Sequence, residues 1–246
     1  VRRLVLFWLF LFLLAPIGVG FSDYGDLIRS GDSLFNSYEY EKSIELYNES
    51  IAIDSSLAAA YWKLAAGLNL YAELQPRAKQ VELFEKAAEA AEKAIRIDSL
   101  APEAHFQFAR ALGKIALFKG IFKSVALAKR VKKEAEAALA LKPDHDGALH
   151  ILGRWHREVA SKPKIFRLPL GLGEADKKKG LPLLAKAIEL ESGNVHHRLE
   201  YAISLLDLGF KEQAGEQLEI CLKLQPAGPL DKKYQEQAKE YLAKLK

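Results

Sequence analysis

Five times along the chain a helical stretch of mixed apolar and polar positions closes on the same short phrase. Ser50-Ile51-Ala52-Ile53-Asp54-Ser55, Ala94-Ile95-Arg96-Ile97-Asp98-Ser99 and Ala138-Leu139-Ala140-Leu141-Lys142-Pro143 superpose residue for residue. Ala187-Ile188-Glu189-Leu190-Glu191-Ser192 and Cys221-Leu222-Lys223-Leu224-Gln225-Pro226 complete the set. Each has a small residue first, two large apolar residues at the second and fourth places, and Ser or Pro five places after the first. A phrase that returns at intervals of tens of residues marks a repeat array, in which each helical hairpin buries its apolar face only by stacking on the next. The pattern therefore predicts an all-α solenoid and, with it, a groove along one side.

The terminal positions Ser55, Ser99, Pro143, Ser192 and Pro226 are separated by 44, 44, 49 and 34 residues. The last step is the tetratricopeptide period, and the residues there resemble that family. Counted from Val195, Ala202 stands at position 8, Gly209 at 15, Ala214 at 20, Cys221 at 27 and Pro226 at 32. Small residues at 8, 20 and 27 let two antiparallel helices approach closely, and glycine at 15 supports the turn between them. The first unit, Tyr24 to Leu57, has Gly31, Ser43, Tyr47 and Ser50 at the matching sites, and the fourth has the pair Leu152-Gly153. The longer middle units carry their extra residues between their two helices. Residues 78–97 and 122–141, rich in Ala, Glu, Lys and Leu, read as long helices. Ser161 to Gly173, with two prolines and two glycines among apolar residues, reads as an irregular loop. Asp176 is a cap for the helix that follows, and Pro182 predicts a kink or a late start there. The chain closes with an amphipathic helix from Asp231, bearing Tyr234, Ala238, Tyr241 and Leu242 on one face, which caps the last hairpin.

A narrower resemblance rests on His150-Ile151-Leu152-Gly153-Arg154-Trp155-His156-Arg157-Glu158-Val159-Ala160, the glycine-containing apolar loop after Ile165-Phe166, the run Lys186-Ala187-Ile188-Glu189-Leu190 and the Leu-rich last repeat. Together these resemble the regulator of microtubule dynamics family over most of residues 24–246. The resemblance implies an all-helical repeat domain without catalytic activity. The microtubule role in the family's name belongs to eukaryotic members.

The first twenty residues read differently. Val1-Arg2-Arg3 is a basic start, Leu4 to Ala15 is uninterruptedly apolar, Pro16 breaks the run, and Gly18-Val19-Gly20 offers small residues for cleavage. Twelve helical residues span about 18 Å, short of a hydrocarbon core of about 30 Å. The expectation is a secretory signal peptide over 1–20 and a repeat domain over 21–246, with a periplasmic or secreted product beginning near Phe21. The alternative is a membrane anchor formed by residues 4–20. Valine at position 1 fits either an alternative start codon, as in bacterial reading frames, or a cropped chain.

Charge narrows the partners. The formal net charge is +4, and without Arg2 and Arg3 it falls to about +2, too balanced for nucleic acid or a polybasic membrane contact. Cys221 is the only cysteine, so the chain has no internal disulfide, and its place in the repeat marks it as a buried wedge. His145, His150 and His156 lie five and six apart, which is not the spacing of a helical metal pair, and no metal or other cofactor is expected. No nucleophile with a base, phosphate loop or dinucleotide fingerprint is present, so the chain does not read as an enzyme.

In tetratricopeptide arrays the first helix of each pair lines the concave face at positions 2, 5, 9, 12 and 13. The resemblance places Trp62, Asn69, Phe106, Arg110, Lys114, His150, Arg154 and Arg157 on that face. The expected function is a scaffold binding a partner protein or an anionic peptide there, with arginine forks on carboxylates. The cations could instead pair with Glu103 and Glu158 on their own helices. If they grip a partner, Arg110→Glu with Arg154→Glu abolishes capture and spares the melting temperature. The alternative function is a lipid or small apolar ligand held by the groove and the 165–172 loop. An open groove would favour the peptide, a deep apolar pocket the lipid. Trp155 reads as a packing residue against the long loop.

Overall fold

The structure, a computed structural model, describes residues 23–119 and 124–245. Twelve helices and no strand occur among them. They run α1 (Tyr24–Asn36), α2 (Tyr40–Ile53), α3 (Ala58–Leu74), α4 (Arg77–Ile97), α5 (Pro102–Lys119) and α6 (Val125–Leu141). The second half holds α7 (Asp146–Ala160), α8 (Lys164–Arg167), α9 (Lys177–Leu190), α10 (Val195–Leu206), α11 (Lys211–Lys223) and α12 (Pro229–Ala243). The signal-peptide segment 1–20 lies outside the described residues. No described helix is long and apolar enough to cross a membrane.

The helices pair as five hairpins, α1–α2, α3–α4, α5–α6, α7–α9 and α10–α11, each packed on the next. The repeated phrase is the end of every second helix. Ser50, Ala94, Ala138, Ala187 and Cys221 are all fully buried. In the first four units a backbone N–H four residues further on (Asp54, Asp98, Lys142, Glu191) closes the helix on the carbonyl of that small residue. A side chain larger than Ala, Ser or Cys would hold adjacent helices apart, and so the position stays small in all five units. Gly209 adopts φ +87 at the α10–α11 turn, a conformation that glycine enters without steric cost. At the α7–α9 crossing, a Cβ on Gly153 would come within 2.7 Å of Leu184 and 3.0 Å of the Gly180 carbonyl, so two glycines set that approach.

Where extra residues lengthen a hairpin, both helices grow. α3 and α4 have 17 and 21 residues and α5 and α6 have 18 and 17, against 12 and 13 in α10 and α11. The third insertion instead makes the irregular segment between α7 and α9, whose single turn α8 is followed by bends. Arg167 gathers it from inside, donating to the carbonyls of Lys162 (2.9 Å) and Ala175 (2.7 Å). Asp176 caps α9 by accepting from Lys178 N–H at 2.8 Å. The helix does not start late, however: it runs from Lys177 through Pro182, which lies inside it.

The end helix does more than cap. α12 packs on α10 and α11, and it also reaches back across the concave face to α3. Lys233 Nζ donates to the Glu73 carbonyl at 2.7 Å and Tyr234 Oη to the Glu73 carboxylate at 2.8 Å. Just before α12, Gly228 packs so closely on the Tyr38 ring of the first hairpin that a Cβ there would lie 2.6 Å away. The two ends of the solenoid therefore meet, and Leu199 and Ile203 of α10 pack in one cluster with α12.

Candidate functional site

A cavity of about 450 Å³ lies between the third and fourth hairpins, with α12 closing part of one side. That volume falls within the range of about 300–1,000 Å³ typical of small-molecule sites. Its two ends differ in chemistry. One part is lined by Ala116, Leu117, Ala128, Val131, Trp155 and Val159, with Ser124, Glu158, Ser161 and Lys162 beside them; another by Arg110, Lys114, His150, Arg154, His196 and Tyr234. Trp155 is buried and packs with Leu172 and Ala175 from the long loop, as its expected packing role requires. It also donates its indole N–H to the Ala128 carbonyl at 2.7 Å and lines the cavity. Gly113 lies on the cavity side of α5, and a Cβ there would touch nothing nearer than Val131 at 4.0 Å.

Phe106, Arg110, Lys114, His150 and Arg154, five of the predicted groove residues, line this cavity. Trp62, Asn69 and Arg157 do not, and two of these need correction. Asn69 is fully buried and donates to both the backbone and the side-chain carbonyl of Gln107, at 3.1 and 3.0 Å, tying α3 to α5. Arg157 is also buried: its Nη2 pairs with Glu158 and Glu200, and its Nη1 has no hydrogen-bond partner among the described residues. Trp62 stays partly exposed outside the cavity, with the Lys63 ammonium 4.8 Å from its ring.

The cations are matched from within. Glu73, on the last turn of α3, accepts from Arg110 at 2.8 Å, Lys114 at 2.6 Å and Tyr234 at 2.8 Å. Glu200, on α10, faces Arg154 at 3.4 Å, Arg157 at 2.8 Å and His196 at 3.7 Å. The Arg157 approach is an ion pair whose angle is not that of a hydrogen bond, since Glu200 Oε2 has no hydrogen-bond partner. Burial would raise both carboxyls, but the adjoining cations, Lys114 and Arg110 for one and Arg154 and Arg157 for the other, hold them well below the usual range. Burial in turn pushes Lys114 down to about 8, against the pull of Glu73. The acids that sequence offered as partners are not the ones used, apart from Glu158. Glu103 lies instead near Lys142 at 3.8 Å.

Glu73 and Glu200 line a second, smaller cavity of about 230 Å³, and Lys114, Leu117, Arg154, His196 and Tyr234 line both. The two carboxylates do not line the larger cavity, whereas Lys114 and Arg154 do. Lys114 gives one of its three N–H bonds to Glu73, and Arg154 makes no hydrogen bond among the described residues. The acids that do line the larger cavity are engaged: Asp146 with His197 at 2.9 Å, Glu158 with Arg157 at 2.7 Å, and Asp231 with the Ala227 N–H at 2.8 Å.

Three histidines complete the polar end. His150 and His197 bring their Nδ1 atoms to 2.9 Å, and the His196 ring stacks on Tyr234 with centroids 4.0 Å apart. Burial lowers His196 to about 4, against Glu200, and burial with the neighbouring His196 and His197 lowers His150 well below its ordinary value. Both are neutral at pH 7. No group of three or more His, Cys, Asp or Glu side chains among the described residues is placed to hold a metal ion.

The fold and the helical repeat define a tetratricopeptide-type solenoid. A thermophilic TPR protein of Thermus thermophilus superposes with a TM-score of 0.65 at 15% identity, covering 89% of this chain and 99% of that one. MamA from Desulfovibrio magneticus RS-1 gives 0.51 at 14% identity, with 82% and 95% covered. At these identities the likeness shows the fold alone. The family model described as regulator of microtubule dynamics protein 1-3 matches residues 27–246, and the chain belongs to that family. No curated protein matches it significantly.

Proposed function

We propose that the protein is a non-catalytic binding module whose cavity takes a molecule with a long apolar body and an anionic or hydrogen-bond-accepting head, such as a long-chain fatty acid. The observation that carries this reading is the division of the cavity. Ala116, Leu117, Ala128, Val131 and Val159 supply apolar lining at one end, and Lys114 and Arg154 line the cavity while their carboxylate partners Glu73 and Glu200 line only the second one. An apolar chain would exclude water from one end, and its head would meet Lys114 and Arg154 at the other.

The test uses Gly113. A Cβ there has open space on the cavity side, which gives a leucine room to enter it, and the leucine also replaces a poor helix former. Titration calorimetry with dodecanoate should show binding to the wild-type chain and at least about tenfold weaker binding to Gly113→Leu, a loss of about 1.4 kcal/mol. Equal affinity for the two proteins sinks the proposal.

A second reading, a partner protein held on the concave face, is favoured by Trp62, which remains partly exposed outside the cavity. In that case Trp62→Ala loses partner capture and Gly113→Leu keeps it.

A further inference from the structure

The segment between α7 and α9 presents three large apolar side chains to solvent. Ile165, Phe166 and Leu168 are 73%, 57% and 55% exposed, together the most prominent apolar cluster in one short stretch of the described chain. Surface apolar residues scattered singly need no explanation, but three within four residues form a patch. The segment is held in this posture from below. Leu172 and Ala175 are buried in the main core, and the Arg167 guanidinium is committed to the backbone carbonyls of Lys162, Leu172 and Ala175. The loop therefore cannot fold its apolar residues inward without giving up that inner scaffold.

Its charge is one-sided. Between Ser161 and Gly173 there are Lys162, Lys164 and Arg167 and no acidic residue. The nearest acids along the chain are already paired, Glu158 with Arg157 and Glu174 with Lys132 at 3.0 Å. Lys162 and Lys164 are exposed and form no ion pair among the described residues. A protein partner would need a shaped apolar pocket ringed by acids to satisfy both the lysines and the three apolar side chains. An anionic bilayer satisfies both, because apolar tips enter the boundary between headgroups and acyl chains while lysines remain among the phosphates.

We propose that residues 161–173 are a docking tip for an anionic membrane surface: Ile165, Phe166 and Leu168 insert at the interface, and Lys162 and Lys164 contact the headgroups. This surface does not depend on the cavity's ligand. Leu117, Ser161 and Lys162 line the cavity and are themselves exposed, so the cavity reaches the surface at the base of the same tip.

The experiment uses the full chain with Cys221→Ala and Ile165→Cys, carrying an environment-sensitive fluorophore at position 165. The label reports on the tip alone, whatever residues 4–15 do at a membrane. Cys221→Ala restores the residue found at the same place in three other repeats. Vesicles of phosphatidylcholine, with or without phosphatidylserine, are added at low and at raised salt. The expected result is a blue-shifted, brighter emission with the anionic vesicles, reduced several-fold by salt and lost in the Phe166→Asp variant, whose helical circular dichroism is unchanged. An unshifted spectrum with anionic vesicles overturns the proposal, and so does a shift that survives Phe166→Asp. An equal shift on pure phosphatidylcholine overturns the headgroup contact.

Discussion

The two ends of the central cavity solve opposite problems. At the polar end, Arg110, Lys114 and Arg154 meet Glu73 and Glu200, and Tyr234 from the last helix completes the arrangement. At the apolar end, Leu117, Val131 and Val159 border space that no side chain enters. Charge that looks like a partner's grip in sequence is therefore largely internal, joining α3, α5, α7, α10 and α12. Prominent cations in a groove are not a binding site until their counter-ions have been located.

The sharpest way to break this comparison is to remove a carboxylate. Glu73→Gln would leave the largely buried Arg110 and Lys114, each 18% exposed, without their counter-charge, and losing one member of a buried pair costs about 3–5 kcal/mol. Urea denaturation should show that loss; a change within about 0.5 kcal/mol would mean that the cations are solvated. By the same reasoning Arg110→Glu with Arg154→Glu, expected from sequence to spare the melting temperature, should lower it severely. It would set new carboxylates beside Glu73 and Glu200.

Next in size is the repeat wedge. Cys221 is fully buried, so Cys221→Leu should overpack the α10–α11 junction and cost about 1–3 kcal/mol in the same denaturation experiment. A neutral result would mean that the wedge tolerates a larger side chain.

Acid should loosen the polar end first. The folded state holds His196 near 4, whereas an unfolded histidine titrates near its ordinary 6.5. Between those values the unfolded chain binds more protons. This contribution to stability is fully present above about 6.5 and is lost as pH falls toward 4. Glu73 and Glu200, whose carboxyls are lowered, add a further loss below their ordinary range. The melting temperature should drop by about 2–4 °C for each kcal/mol lost. His196→Phe, which keeps a ring on Tyr234 but removes the proton site, should flatten the upper part of that profile. A wild-type curve level from pH 7 to 5 would contradict the burial of His196.

The smallest stability effect belongs to the apolar end. Gly113→Leu should leave stability unchanged or raise it by about 0.5–1 kcal/mol, since a helical glycine is replaced where there is room. Thermal melts check this, and a clear loss would mean that the space is already filled.

The hairpin register was legible in sequence because the small residue at the end of each second helix is dictated by helix contact. Ser50, Ala94, Ala138, Ala187 and Cys221 are equivalent and buried for that one reason. The stripe of groove positions likewise found five residues of the cavity. Its failures have physical causes. Asn69 and Arg157 lie on the stripe but are buried by helices from elsewhere in the array. Glu73 lies one helical turn beyond Asn69, on a stretch that exists only because α3 is elongated, so extending the stripe along the long helix would have found it. The reach of α12 to Glu73 spans 161 residues of sequence and depends on the curvature of the stacked hairpins, which no local pattern reports.

The central claim is that the apolar end, not the cations, selects the ligand, and a chain-length series of fatty acids titrated at low and high salt tests it most directly. Burying a methylene is worth about 0.8 kcal/mol, so affinity should rise about fourfold per added carbon until the cavity is full. It should change little with salt, because the adjoining charges are buried and compensated. An affinity that ignores chain length and falls steeply with salt would contradict the claim and return the binding role to the cations.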